Sequence, residues 1–194
     1  MAKLVVFGAT GYAGGRISAE ALSRGHEVVG VARNAGEAPE GVDLPPLLIA
    51  GNSGGVLGLA AEHADIVGFA GLRQLKGEPP GTFQLDNAST MDERVSYFRS
   101  RVGTRKVEYN MLVQRVVVTD DRRAAAEAWH DETERRAARN VDELLEAPQL
   151  LFGTVDQIVA QLLDRRDRYG FSYVTVFEPM LETFAPVLKE LKDS

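Results

Sequence analysis

The sequence contains no cysteine and only three histidines. Without thiols the chain cannot form a disulfide, a thiolate metal site or a cysteine nucleophile. The three histidines are scattered along the chain, so the clustered spacing of a zinc or iron centre is also missing. We therefore predict no metal site.

Long hydrophobic runs are missing too. No apolar stretch approaches the roughly 20 residues that a membrane span needs, and the first one stops at Gly8, too early for the apolar part of a signal peptide. Lysine and arginine total 22 against 28 for aspartate and glutamate, a net charge of −6. This balance gives no general attraction to a phosphate backbone, so we expect no binding to nucleic acid. Because a span and a signal peptide are also missing, we expect a cytoplasmic protein that does not bind membranes.

What remains is an ordinary globular composition of 194 residues, 44% of them hydrophobic. This is enough apolar material for one core, so we expect a single α/β domain. Short apolar runs bounded by glycine alternate with segments of helical periodicity, which is typical of a mostly parallel sheet of about six strands. The expected strands are 3–7, 27–32, 47–50, 65–69, 107–119 and 172–177.

Helical patterns fill the intervals between these strands. After the first helix, which ends near Gly25, we expect helices at 56–63, 92–101, 121–147, 154–170 and 181–192. Residues 34–46 and 70–90 have no periodicity. The second of these segments has the length of a functional or mobile loop, such as a lid.

A first glycine motif, with Gly8, Gly11 and Gly14, follows the first strand and opens the first helix. Glycines in this position permit a tight turn and the close approach of a pyrophosphate to the backbone. The run from Val5 to Gly11, followed by Arg24 to Val28, resembles the NAD(P)-binding start of NmrA-like, atypical short-chain dehydrogenases over residues 1–35. The resemblance implies that the cofactor is bound by Gly8, Thr10, Gly11, Tyr12, Gly14 and Arg33.

Arg33 stands after the second strand, where this family selects its cofactor. A guanidinium suits a 2′-phosphate, so we expect NADP. No tyrosine is followed four residues later by a lysine, so the Tyr–Lys pair of classical short-chain dehydrogenases is missing and no catalytic residue is assigned. The alternative is that the glycines only shape the strand-to-helix turn.

Residues 45–194 resemble a different family. Four blocks occur in its order: Pro45 to Gly68, Val116 to Arg122, Gly153 to Ile158, and Tyr169 to Val174 with Phe184 to Pro186. They are similar to the C-terminal half of luciferase-like monooxygenases, which include deazaflavin-dependent oxidoreductases. The resemblance implies part of a (β/α)8 barrel that binds FMN or the deazaflavin coenzyme at its C-terminal face. Its phosphate-binding loop would be Gly51, Asn52, Ser53, Gly54 and Gly55, and the alternative is a turn without a ligand.

A complete barrel needs roughly 250 residues. We therefore expect a half-barrel at 46–194, joined through a linker at 36–45 to a Rossmann-like βαβ unit at 1–35. Such a chain could be a natural fusion, a remnant or a constructed chimera. Because open sheet edges need cover, we expect a homodimer in which a second copy completes the barrel, with an open sheet as the alternative.

Three functions fit these patterns. The leading one is an oxidoreductase that binds NADP, a flavin-type cofactor or both, and transfers hydride to a small-molecule substrate. The second is a chimeric or remnant fold without turnover. The third is a serine hydrolase, because the loop at Ser53 also fits the G-x-S-x-G turn of a nucleophile, with His130 as base and Asp86 or Asp92 as acid.

Overall fold

The computed structural model describes residues 2–7, 9–31, 38–80, 82–132 and 140–193. The chain divides into two compact units, Met1–Leu47 and Leu48–Ser194, here called the N-terminal unit and the C-terminal unit. Each is described by itself. The expectation of a single domain built from the three predicted segments stays a prediction.

The N-terminal unit contains β1 (Lys3–Phe7), α1 (Tyr12–Ser23) and β2 (Glu27–Val31). The two strands pair in parallel, with Lys3 opposite Glu27. Helix α1 buries Gly14, Ser18 and Ala21, a spacing that places all three on one face. The small core joins Ala21 to Val6, Ala9 and Val28.

The segment after β2 returns to the same unit. Asp43 makes an isolated parallel bridge with Val29: its N–H donates to the carbonyl of Val28, and its carbonyl accepts from the N–H of Gly30. A Cβ at Gly30 would lie 2.6–2.8 Å from side-chain carbons of Leu44, Val42 and Ala9, so a larger residue would displace its neighbours at this crossing.

The C-terminal unit contains most of the strands and helices. In chain order they are β3 (Leu48–Ala50), α2 (Gly54–His63), β4 (Ile66–Phe69), β5 (Leu72–Gln74), β6 (Phe83–Leu85), α3 (Ala88–Val102), β7 (Glu108–Leu112), β8 (Arg115–Val118), α4 (Arg122–Glu132), α5 (Val141–Leu145), β9 (Leu150–Gly153), α6 (Val155–Tyr169), β10 (Phe171–Thr175) and α7 (Leu181–Asp193). A 3-10 turn, Glu178–Met180, precedes α7.

Four strands form the main sheet of this unit, in the order β10-β7-β4-β3, and every neighbouring pair is parallel. Strands β8 and β9 form a second parallel pair, whereas β5 and β6 form an antiparallel hairpin. The predicted mixed α/β fold with mostly parallel strands is confirmed.

Aromatic side chains fill the centre of the C-terminal unit. The ring of Phe69 on β4 lies 6.1 Å from that of Phe98 on α3 and 5.5 Å from that of Phe171 on β10, measured between centroids. Residues of β4 are buried on both faces, which explains why the strand has a continuous apolar pattern rather than an alternating one. The cluster packs the sheet against the helices. Loops at the strand ends of such a rigid scaffold are where functional residues are commonly found.

Several predicted elements have different bounds in the structure. The predicted structureless loop at 70–90 contains the hairpin β5–β6 and the beginning of α3. The single strand predicted at 107–119 is two strands, because the N–H of Val113 donates to Thr175 of the main sheet and the N–H of Gln114 donates to Gln149, next to β9. Strand β9 was not predicted, and the described residues hold ten strands rather than about six.

The helix predicted at 121–147 also differs. Its described part consists of α4 and the short α5, and α5 has its own N-cap because Asn140 accepts from the N–H of Glu143. The capping box predicted at Thr154 and Gln157 is confirmed, since both reciprocal hydrogen bonds are present. No helix within the described ranges is long and apolar enough to cross a membrane.

Candidate functional site

The loop Gly51–Gly55 lies at the carboxyl end of β3 and leads directly into α2. In parallel α/β sheets the carboxyl ends of the strands are where ligands bind. Ser53 is the N-cap of α2, and its Oγ accepts from the N–H of Val56 at 3.2 Å. The N–H groups of Gly54 and Gly55 belong to the first turn of the helix and have no intrahelical acceptor.

The two glycines at the start of α2 are exposed. A Cβ at Gly55 would have only the Oγ of Ser53 near it, at 4.0 Å, so the space above this residue is open. Beside it, Tyr97 of α3 donates its hydroxyl proton to the carbonyl of Gly54 at 3.1 Å, and the guanidinium of Arg101 lies 5.1 Å from the Tyr97 ring. The helix end therefore presents free donors with a cation on the neighbouring helix.

Asn52 and Gly51 make contacts within the protein. The side-chain amide of Asn52 donates to the carbonyl of Leu72, and its oxygen accepts from the N–H of Gly71 at 3.2 Å. The N–H of Gly51 extends the β3–β4 ladder to Gly68, and a Cβ at Gly51 would lie 2.7 Å from a methyl of Val56. Of the five predicted residues in this loop, Gly54 and Gly55 are the two that face outward with unused backbone donors.

A buried amide lies at the same end of the sheet. Gln149, immediately before β9, is 0% exposed, and neither its side-chain nitrogen nor its oxygen has a partner among the described residues. It packs against Gly71, the residue held by Asn52, and Gly71 has a φ of +64°. Leaving both halves of a buried amide unpaired is costly, and such groups in native proteins are frequently tied to function.

A buried ion pair supports this region. Asp86, at the end of the hairpin, is 2.6 Å from Arg94 of α3, and its N–H donates to the carbonyl of Gly71 at 2.8 Å. Burial lowers the pKa of Arg94; the negative charge of Asp86 opposes this and the positive charge of Arg73 adds to it. The loops that begin at Asn52, Gly71 and Asp86 are thus tied together.

Sequence patterns did not reveal Gly71, Gln149, or the Asp86–Arg94 pair as neighbours of the predicted loop. The available signal was weak: Gly71 follows a continuous apolar strand, and Gln149 precedes another. Their proximity arises only from tertiary packing. No group of three His, Asp or Glu side chains within the described ranges could hold a metal ion, and the prediction of no metal site stays a prediction.

The first glycine motif lies in the N-terminal unit. Gly11 is the N-cap residue of α1 and has no side chain with which to cap it, while Tyr12 is exposed and Gly14 is buried. The Tyr12 hydroxyl accepts from Arg16 at 2.8 Å. Thr10 lies in the turn before the helix. Gly8 and Arg33, the other two residues predicted here, lie outside the described residues.

The geometry of Ser53 does not favour the hydrolase interpretation. A nucleophile elbow holds its serine in a strained turn. Ser53 has φ −81° and ψ 150°, ordinary extended values, and its hydroxyl is occupied as a helix cap. His130 lies on α4 next to Asp131, 3.5 Å away. Ser53 therefore has the features of a structural cap.

The fold has similar solved structures. One is an F420-dependent secondary alcohol dehydrogenase in complex with an F420–acetone adduct, with a TM-score of 0.50 and 14% identity, over 80% of this chain and 51% of that one. A long-chain alkane monooxygenase has a TM-score of 0.49 and 15% identity, over 81% and 44%. A riboflavin lyase with modified FMN and riboflavin has 0.49 and 14%, over 82% and 45%.

The chain spans about half the length of these proteins. At this level of identity the first likeness shows the fold alone: mixed α/β with mostly parallel strands. No protein-family model matches the sequence, and no curated protein matches it either.

Proposed function

We propose that the C-terminal unit is part of an oxidoreductase that binds the phosphate of a flavin-type cofactor at the N-terminus of α2. The observation that carries this proposal is the open helix end, where Gly54 and Gly55 present backbone donors at the carboxyl end of a parallel strand. The positive end of the helix dipole adds a favourable field for a phosphate.

The residues present fit such a group. Glycine at 55 leaves room for a phosphate, Ser53 caps the helix, and Arg101 places a positive charge 5.1 Å from the ring of Tyr97, whose hydroxyl contacts Gly54. The fold shared with an F420-dependent dehydrogenase supports a flavin or deazaflavin over other phosphate ligands. A bound flavin-type cofactor supplies hydride transfer, and the chain supplies its position and its phosphate contacts.

The half-barrel interpretation and the expected homodimer belong to the same proposal. Strands β3 and β10 stand at the two ends of the main sheet, and Leu48 on β3 and Tyr173 on β10 are both 42% exposed. We propose that a second copy covers these edges. Light scattering behind a sizing column should then give twice the 21.1 kDa chain mass, whereas a monomer at all concentrations would contradict it.

A second candidate function concerns NADP in the N-terminal unit. The uncapped start of α1 at Gly11, beside the parallel pair β1–β2, favours a pyrophosphate there. We propose that NADPH raises the melting temperature more than NADH does, because Arg33 would recognise the 2′-phosphate. Arg33→Ala should remove the difference between the two cofactors. Equal shifts in the wild type would contradict this proposal.

The main proposal is tested by a binding titration with FMN, riboflavin and the deazaflavin coenzyme, followed by fluorescence. Ser53→Asp is the discriminating variant: aspartate is as good an N-cap as serine, yet its charge would repel a phosphate at Gly54 and Gly55. FMN should bind the wild type at least about tenfold more tightly than it binds the variant. A flat response to every cofactor would instead favour the remnant or chimera without turnover.

A further inference from the structure

A polar groove lies in the C-terminal unit, away from the cofactor loop. It is bordered by α6, the beginning of α4 and the end of α5. Its cavity volume is about 370 Å³. Arg122, the first residue of α4, and Arg165, in the middle of α6, both line it. None of the residues discussed for the cofactor loop contributes to this groove.

Arg165 is buried, with only 5% of its surface exposed. Its Nη2 donates to the carbonyl of Leu150 at 2.8 Å and, less closely, to the Oε1 of Gln161 at 3.5 Å. Its Nη1 is buried and has no hydrogen-bond partner among the described residues. Burial, and then the positive charge of Arg122, lower the pKa of Arg165 to about 10.

Arg122 has the same deficiency. Its Nη2 donates to the carbonyl of Leu145 at the end of α5, whereas its Nε is buried and without a partner in the described part of the chain. The two like charges are close enough for Arg122 to lower the pKa of Arg165. Arg165 is a buried guanidinium without a counter-charge, which is unfavourable, and the half-buried Arg122 adds a second positive charge beside it, so the pair requires an explanation.

Several other arginines of the C-terminal unit are paired with a carboxylate. Arg94 pairs with Asp86, Arg123 with Asp142 and Arg168 with Asp92, each at 2.8 Å or closer. Within the described ranges neither Arg122 nor Arg165 has a carboxylate within 4.0 Å, although Glu146 and Asp164 line the same groove. The positive charge of Arg122 acts on Arg165 more strongly than either of those carboxylates does.

We propose that this groove binds a phosphate group, held by the free guanidinium nitrogens of Arg122 and Arg165. A dianionic phosphate neutralises both charges and accepts from both unused donors, which a single carboxylate does less completely. The phosphate can be a free ion or the end of a small ester, and the site is independent of the proposed cofactor site at α2.

The test is calorimetric titration of the full chain with inorganic phosphate, phenyl phosphate and acetate at constant, low ionic strength. Ser53→Asp serves as the background protein, because it blocks phosphate at α2. We expect phosphate or its ester to bind with one site per chain, and acetate to bind at least about tenfold more weakly. If phenyl phosphate binds more tightly than inorganic phosphate, the ligand is a phosphate ester. If inorganic phosphate binds more tightly, the ligand is the free ion.

Arg122→Gln should weaken phosphate binding at least about tenfold. Arg123→Gln is its matched control: it is the next residue on α4, removes the same charge, and is exposed and paired with Asp142. Arg165→Met removes a buried charge at similar volume, so it should unfold at the same urea concentration or higher and lose phosphate binding. Equal effects of Arg122→Gln and Arg123→Gln, or no phosphate binding in the background protein, would overturn the proposal.

Discussion

Gly71 is the position where a single methyl group should be most damaging to the candidate site. Its φ of +64° lies in the left-handed region, and an added Cβ would come closer than 3.0 Å to three atoms of the Gln149 side chain. Gln149 is fully buried before β9, so its movement away from an added methyl group would take place inside a packed interior. Gly71→Ala therefore combines backbone strain with a steric overlap.

The two contributions can be estimated separately. Alanine in the left-handed region costs about 1–2 kcal/mol relative to glycine. Forcing extra volume into a packed interior costs roughly 1–3 kcal/mol more. We expect Gly71→Ala to lower the free energy of unfolding by about 2–5 kcal/mol. Gly77 is the matched control, because its φ is +89° and nothing lies within 4 Å of its added Cβ; Gly77→Ala should cost only the backbone part.

Equilibrium urea unfolding of the two variants measures these values, provided that the m-value is unchanged. Adding Gln149→Ala to Gly71→Ala removes the overlap, so the double variant should be more stable than the sum of the single changes predicts, by about 1–3 kcal/mol. If Gly71→Ala costs no more than Gly77→Ala, or the double variant shows no coupling, the placement of Gln149 against Gly71 is wrong.

Three further predictions concern single side chains. Ser53→Ala should cost about 1 kcal/mol in urea unfolding because the cap of α2 is lost, whereas Ser53→Asp should cost almost nothing; equal losses would contradict the cap. Burial raises the pKa of Tyr169 to about 12, so the unfolded chain loses this proton from pH 10 upward while the folded chain keeps it, and stability falls as the pH rises from 10 to 12. Tyr169→Phe should remove about 1 kcal/mol of that fall, and a parallel pH profile for both proteins would refute it. Asp86→Asn removes the counter-charge of the largely buried Arg94 and should lower the free energy of unfolding by about 3 kcal/mol, and a loss below about 1 kcal/mol would show that the pair is not buried.

Local patterns were sufficient for the elements whose signals lie within a few residues. The capping box at Thr154 and Gln157 follows from spacing alone, and so does the parallel α/β class, because continuous apolar strands such as 66–69 are typical of buried parallel sheets. The existence of α2 after the turn at 51–55 also follows from a strand, a glycine-rich turn and an apolar helix in succession, although α2 begins at Gly54 and not at the predicted Val56.

Elements that depend on distant partners could not be predicted in the same way. The sequence of the hairpin β5–β6 has no strand periodicity of its own. Its start is held by hydrogen bonds to Asn52, which lies in another loop, and local patterns do not show such a contact. The long strand at 107–119 divides at Gln114 because its hydrogen bonds pass to the segment before β9. Polar residues such as Gln149 and Arg165 are ordinary surface types in the sequence, and only tertiary packing buries them.

The central claim is that a cofactor phosphate binds at the N-terminus of α2. Comparing the affinities of FMN and riboflavin for the wild type and for Ser53→Asp tests it most directly, since the two flavins differ only in the phosphate. FMN should bind the wild type at least about tenfold more tightly than riboflavin does, and Ser53→Asp should abolish this advantage without lowering the free energy of unfolding. Equal affinities for both flavins in the wild type, or an FMN advantage that survives in Ser53→Asp, would contradict it.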